Sequence, residues 1–171
     1  MSKIVGNGDI AKVLQKVDKD VLFFASGVSN SKETRETEYQ REISLLVTQP
    51  DNKRIVYFSS LGVLDGTSRY YKHKRTVEEI VKTFPKWCIV RLGNISWGSN
   101  PNTLINYFKN CVAEGKPFHI EDVYRYVVDE DEFLYWINLI PDFNCEINIP
   151  GRRMKVKDIF IKYVSNNYTY K

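Results

Sequence analysis

The sequence predicts an α/β domain with a mainly parallel sheet of about five strands, covered by helices on both faces. Three observations predict it. Short apolar runs recur along the chain. Stretches with helical periodicity separate them. The runs are apolar throughout rather than alternating, as strands buried on both faces require. The 171 residues fit one domain with room for a real core.

"KIV" (3–5) is a short strand ending at Gly6. Ile10, Val13, Leu14 and Val17 follow at helical spacing, so a helix starts near Asp9. "DVLFFAS" (20–26) is a buried strand. "SKETRETEYQREISLLV" (31–47) is polar first and apolar last, as a helix entering a core is, with Asn30 or Ser31 as its cap and Glu33 in its first turn. "KRIVYFSS" (53–60) and "WCIVRL" (87–92) are strands on either side of a helical stripe at Val77, Ile80, Val81 and Phe84. Leu104, Ile105, Phe108 and Val112 mark a helix stopped by Gly115 and Pro117. "PFHI" (117–120) reads as a short strand, 130–140 as a helix, "CEINI" (145–149) as a strand, and Val156 to Tyr163 as a last helix.

A net charge of +4, with Lys and Arg scattered, gives no nucleic-acid signature. Cys88, Cys111 and Cys145 sit among apolar residues without metal-ligand spacing, so buried free thiols and no metal are expected. No basic-then-apolar leader opens the sequence, and no run approaches the ~20 apolar residues of a membrane span. A cytoplasmic location is the expectation.

Ligands of parallel α/β sheets bind at the carboxyl ends of the strands. After the first strand comes "VGNGDIA" (5–11), in which Gly6-x-Gly8-x-x-Ala11 has dinucleotide-fingerprint spacing. Gly6 would permit the tight turn and Gly8 the approach of a pyrophosphate. The N–H groups opening the helix at Asp9 and Ile10 would face that anion. An acid for the adenosine ribose belongs about 20 positions on. Val28 to Asn30 stand there, with no acid, and Asp18 and Asp20 come too early. After the second run, Ala25, Ser26 and Gly27 would let a flat ring or a phosphate approach the backbone. "YYKHK" (70–74) places Tyr70 and Lys74 on one helical face. An ammonium beside a phenol favours phenolate and lowers the tyrosine pKa, giving a side chain able to exchange a proton with a hydroxyl or carbonyl. With 11 Tyr, about one Tyr-x-x-x-Lys match arises by chance, so the surroundings must decide. Ser60 ends the preceding strand and could bond the same oxygen. Tyr71 points elsewhere and reads as packing, and His73 as a solvated residue.

On these stretches, together with "RIVYFSSLGV", "IVRLGNISWG", "PFHIEDVYRYV" and "EINIPGRRMKVKDI", the chain resembles the short-chain dehydrogenase/reductase superfamily, in its extended branch of NAD-dependent nucleotide-sugar epimerases, dehydratases and reductases. The resemblance implies a Rossmann-like fold and a catalytic Ser60, Tyr70 and Lys74, with Lys74 also holding the cofactor ribose. It places Asn94 and Ser60 near the substrate, and Gly6, Gly8, Asp9, Ile10, Ala25, Ser26 and Gly27 around NAD or NADP. The expected partner is a nucleotide sugar, with a homodimer possible. A non-catalytic relative that binds a nucleotide or sugar nucleotide, or acts through a protein partner, is the alternative. Three departures qualify this. The second and third strands of the full Rossmann sheet are missing, the ribose acid is missing, and the Ser60–Tyr70 spacing is short. A single minimal domain is expected over 1–171, weak in cofactor binding, with a vestigial substrate lobe at about 118–171.

Overall fold

The computed structural model describes residues 2–165. In chain order the elements are β1 (Lys3–Val5), α1 (Asp9–Leu14), β2 (Val21–Phe24), α2 (Glu36–Val47), β3 (Arg54–Ser60), α3 (Arg69–Val81) and β4 (Trp87–Leu92). There follow β5 (Asn94–Ile95), α4 (Leu104–Ala113), β6 (Tyr124–Val128), α5 (Glu130–Asn138), β7 (Cys145–Ile149), β8 (Arg152–Lys155) and α6 (Val156–Tyr163). A main sheet of five strands runs β1-β2-β3-β4-β7, parallel at every pairing. The expected Rossmann-like sheet is therefore present, and β1, central in the full fold, is an edge.

The strands are apolar on both sides because both sides are covered. On one face Phe23, Val56, Phe58, Cys88 and Val90 pack against Val13 and Leu14 of α1 and Phe133 and Ile137 of α5. On the other, Leu22, Phe24, Ile55, Tyr57 and Ile89 pack against Leu46 of α2 and Val77 and Val81 of α3. Cys88 and Cys111 are buried and Cys145 is half-buried, all as free thiols. Burial, then the neighbouring Cys145, pushes the Cys88 thiol up to about 12.

The units β1-α1-β2, β2-α2-β3 and β3-α3-β4 all advance across the sheet in the same direction. Yet α1 lies on the face opposite α2 and α3. The first crossover therefore has the opposite hand to the next two. The strong preference for right-handed crossovers marks the like pair as right-handed and β1-α1-β2 as left-handed. In the full fold the strand after α1 returns to the other side of β1, and the unit is right-handed. Here α1 keeps that face while the following strand lies on the far side.

A second sheet, β5-β6-β8, was not expected, because its strands are short and partly exposed. With α4 and α6 it encloses its own core of Ile105, Phe108, Val127, Val156 and Ile159. The strand expected at 117–120 does not form; that stretch is irregular, and Phe118 and Ile120 pack on this small core instead. Helix α2 begins at Glu36 rather than near 31. The Glu33 carboxylate accepts the N–H groups of Thr34 and Arg35, holding a turn where the helix was expected to open. Residues 166–171 of the expected C-terminal lobe lie outside the described residues.

Gly6 secures the entry to α1. Its φ is +125°, and a Cβ there would stand 2.3 Å from the carbonyl oxygen of Ala25. Gly6→Ala combines backbone strain with a clash against backbone. A loss of about 2–4 kcal/mol is expected, read as a lowered midpoint in chemical denaturation.

Candidate active site

A cleft of about 680 Å3 opens at the carboxyl ends of β1 to β4. Gly8, Asp9 and Ile10 line it from the first turn, Ala25, Ser26 and Gly27 from the end of β2, Ser60 from the end of β3, Tyr70 and Lys74 from α3, and Asn94 from β5. Of the residues expected around cofactor and substrate, only Gly6 is not on the cleft; it lies beneath the turn against Ala25. Gly8 faces open space: a Cβ there would meet nothing within 4 Å.

Local chemistry places the side chains. Ser60 ends β3 and accepts the N–H of Gly62 at 3.2 Å, capping the short 3-10 turn Leu61–Leu64. Ser68 caps α3, so Tyr70 falls in its first turn. Tyr70, His73, Lys74, Val77 and Val81 form one buried stripe. His73 is therefore not solvated as expected. It is buried, and its ring lies 4.6 Å from that of Tyr39. Tyr71 is half-buried against Gly62 and Gly66 and also lines the cleft.

The group that organises this stripe is Glu42 of α2, fully buried at 0% exposure. Its Oε1 accepts the Lys74 ammonium at 3.0 Å and the Tyr57 hydroxyl at 2.7 Å. Its Oε2 accepts the Val28 N–H at 2.8 Å and His73 Nε2 at 2.9 Å. Lys74 Nζ also donates to the Tyr57 hydroxyl at 3.1 Å. Burial drives the Glu42 carboxyl up, but Lys74 and the hydrogen bonds from His73, Val28 and Tyr57 outweigh it and hold the pKa at about 2. Gly27 lies over this pair, and a Cβ there would stand 2.6 Å from Lys74 Nζ.

This reverses one expectation. Burial first, and the Glu42 charge second, raise the Tyr70 phenol well above its ordinary value rather than lowering it. Lys74 Nζ lies 5.6 Å from the centre of the Tyr70 ring, while its charge is matched by the carboxylate. Glu42 was missed although a signal existed. Tyr39, Glu42, Ile43 and Leu46 share a helical stripe, and a carboxylate on such a stripe is buried with a partner.

A loop straps the mouth of the cleft. Asp9 Oδ2 accepts the N–H groups of Ser99 at 3.0 Å and Asn100 at 2.8 Å, and Asn100 Nδ2 donates to Ser29 Oγ at 3.0 Å. The Asp9 carboxylate is thus committed to this loop. Arg41 donates to Ser26 Oγ at 3.2 Å and to its carbonyl at 3.1 Å, fixing the segment after β2. The Ser59 hydroxyl, also on the cleft, is buried without a partner among the described residues.

The fold and the position of the cleft define a Rossmann-type α/β domain. No protein-family model matches the sequence, and no curated protein matches it. Solved structures do. The chain is similar to the Bordetella bronchiseptica enzyme WbmH in complex with NAD+, at 15% identity and TM-score 0.68, over 95% of this chain and 65% of that one. It is similar to WbmG of the same organism in complex with NAD, at 13% identity and TM-score 0.64, over 92% and 59%. It is also similar to dTDP-4-dehydrorhamnose reductase from Bacillus anthracis in complex with NADP, at 16% identity and TM-score 0.62, over 94% and 67%. The chain shares the fold of these proteins, and it spans about six tenths of the length of WbmG.

Glu42 titrates near its ordinary 4.5 when unfolded and at about 2 in the fold. The stability it contributes is complete above pH 4.5 and is lost as pH falls from there through 2. Glu42→Gln should cost about 3 kcal/mol at neutral pH by stranding Lys74, and should flatten the acid limb of a stability–pH curve measured by denaturant melts.

Proposed function

We propose that the chain is an NAD(P)-dependent oxidoreductase, epimerase or dehydratase acting on a nucleotide-activated sugar. The observation that supports this most is convergence. Ser60, Tyr70, Lys74 and Asn94 come from three elements and line one cleft together with Gly8 and the Ala25–Gly27 segment. The cleft has the volume of a cofactor or substrate site. The neighbours WbmG and WbmH have been solved with NAD, and WbmG with NAD and UDP.

The residues present fit the nicotinamide half of such a cofactor. Gly8 leaves the backbone open, and Gly27 brings it close to Lys74. No strand among the described residues lies beyond β1 to carry the adenosine half, so weak binding is proposed. When bound at this cleft, such a cofactor would supply hydride exchange with a sugar carbon. Ser60 orients the sugar oxygen, and Tyr70 exchanges its proton with that oxygen at Oη. Asn94 contacts the sugar. Lys74 would hydrogen-bond the ribose through the N–H that it does not give to Glu42 or Tyr57. The small sheet with α4 and α6 serves as a reduced substrate lobe, and the open edge at β1 offers a surface for a second copy.

The Glu42–Lys74 pair favours a second reading, in which the cleft binds a sugar nucleotide without turnover. Burial, and then the Glu42 charge, raise the tyrosine pKa, and the carboxylate neutralises the lysine; both oppose acid–base work at neutral pH.

Oxidation of NADH or NADPH, and epimerisation, with a panel of UDP-, GDP- and dTDP-sugars separates the two. Turnover is expected in the wild type. Tyr70→Phe should lower it at least a hundredfold with an unchanged thermal midpoint, and Tyr71→Phe should retain it within a fewfold. Calorimetric binding of a sugar nucleotide without turnover of any pair would establish the second reading.

A further inference from the structure

A second cavity lies at the other end of the main sheet, at the amino ends of β2 and β3. It encloses about 190 Å3, and Lys19, Asp20, Arg54, Ile140 and Asp142 are among its lining residues. Two turns form its walls, the one between α1 and β2 and the one between α5 and β7.

Its centre is a buried cation. Arg54 opens β3 and shares a face with Val56 and Phe58, beneath α1 and α5. It is 8% exposed. Nη2 donates to the carbonyl of Phe143 and lies 3.9 Å from Cys145 Sγ. Nε and Nη1 are buried and have no partner among the described residues. Neither of the two groups Arg54 meets is a carboxylate. A guanidinium keeps its charge in proteins, so burial cannot be relieved by losing a proton. A buried charge without a counter-charge is costly, and an unsatisfied buried donor adds to that cost.

The surroundings fit an exogenous anion. Lys19 adds a second cation, and its Nζ donates to the carbonyl of Ile140 at 3.4 Å. Of the two carboxylates on the lining, Asp20 is paired with Lys53 at 2.5 Å, and Asp142 is exposed. Val21, Val56, Ile140 and Pro141 supply an apolar wall, where a charge-assisted bond is stronger than in water. The volume lies below the roughly 300 Å3 at which sites for larger ligands begin, which excludes a nucleotide. The cations are a guanidinium and, from a different segment, an ammonium. They suit an acceptor with more than two oxygens better than a planar carboxylate.

We propose that this cavity binds a small phosphate-type oxyanion, held by Arg54 and Lys19, at the end of the sheet opposite the cleft. The anion joins the two turns across the amino ends of the strands. Because it binds the folded chain, it raises the melting temperature with concentration.

The test is calorimetric titration of the whole chain with inorganic phosphate, in a buffer free of oxyanions, with thermal melts alongside. Saturable binding with a stoichiometry of one is expected. Arg54→Gln should weaken it at least tenfold, Lys19→Gln several-fold, and acetate should give no saturable heat. Lys19 is only half-buried, so Lys19→Gln decides the outcome should Arg54→Gln fail to fold. Absence of saturable phosphate binding overturns the proposal, as does unchanged affinity in a folded Lys19→Gln variant or acetate binding as tightly as phosphate. None of these readouts depends on turnover at the cleft.

Discussion

The carboxylate of Glu42 is the group around which one side of the molecule is assembled. It ties α2 to α3 through His73 and Lys74, to β3 through Tyr57, and to the segment after β2 through the Val28 N–H. Four donors saturate its two oxygens, which is how an ionised group survives among apolar side chains. The arrangement is cooperative. Removing any one donor leaves the others bound to a less well-compensated charge. The wall of the cleft is therefore fixed by a polar knot rather than by hydrophobic packing alone.

That knot also sets the chemistry of the cleft. The charge of Lys74 can support the Tyr70 phenolate or balance Glu42, and in this structure it balances Glu42. Ligand binding that draws Lys74 outward would have to repay the lost ion pair. Residues on two helices, Tyr70 of α3 and Glu42 of α2, thus compete for one ammonium, and spacing along one helix does not disclose which neighbour holds it.

The sheet was legible because its strands are continuous apolar runs: Val21–Phe24 and Arg54–Ser60 could be read almost to the residue. The cleft was legible because small residues gather where those runs stop. The β5-β6-β8 sheet was not, since Tyr124, Arg125 and Tyr126 are exposed and carry neither alternation nor an apolar run. His73 was misread because its partner lies 31 residues earlier on another helix. The Rossmann-like resemblance was sound at the level of fold. The electrostatics around Tyr70 followed from tertiary contacts, which local sequence does not encode.

The hand of the first crossover carries an architectural consequence. The turn from Gln15 to Asp20 is the join at which the path of the chain departs from the doubly wound order, and among the described residues no strand lies along the outer edge of β1. A strand–helix–strand–helix segment grafted into that turn would lay its first strand along β1 on the side that α1 already favours and return the chain to the start of β2. The α1 unit would become right-handed, and no packed element would be cut. The left-handed turn is thus a natural splice point, through which the sheet can be widened from its edge while the cleft at the far end of the strands stays in place.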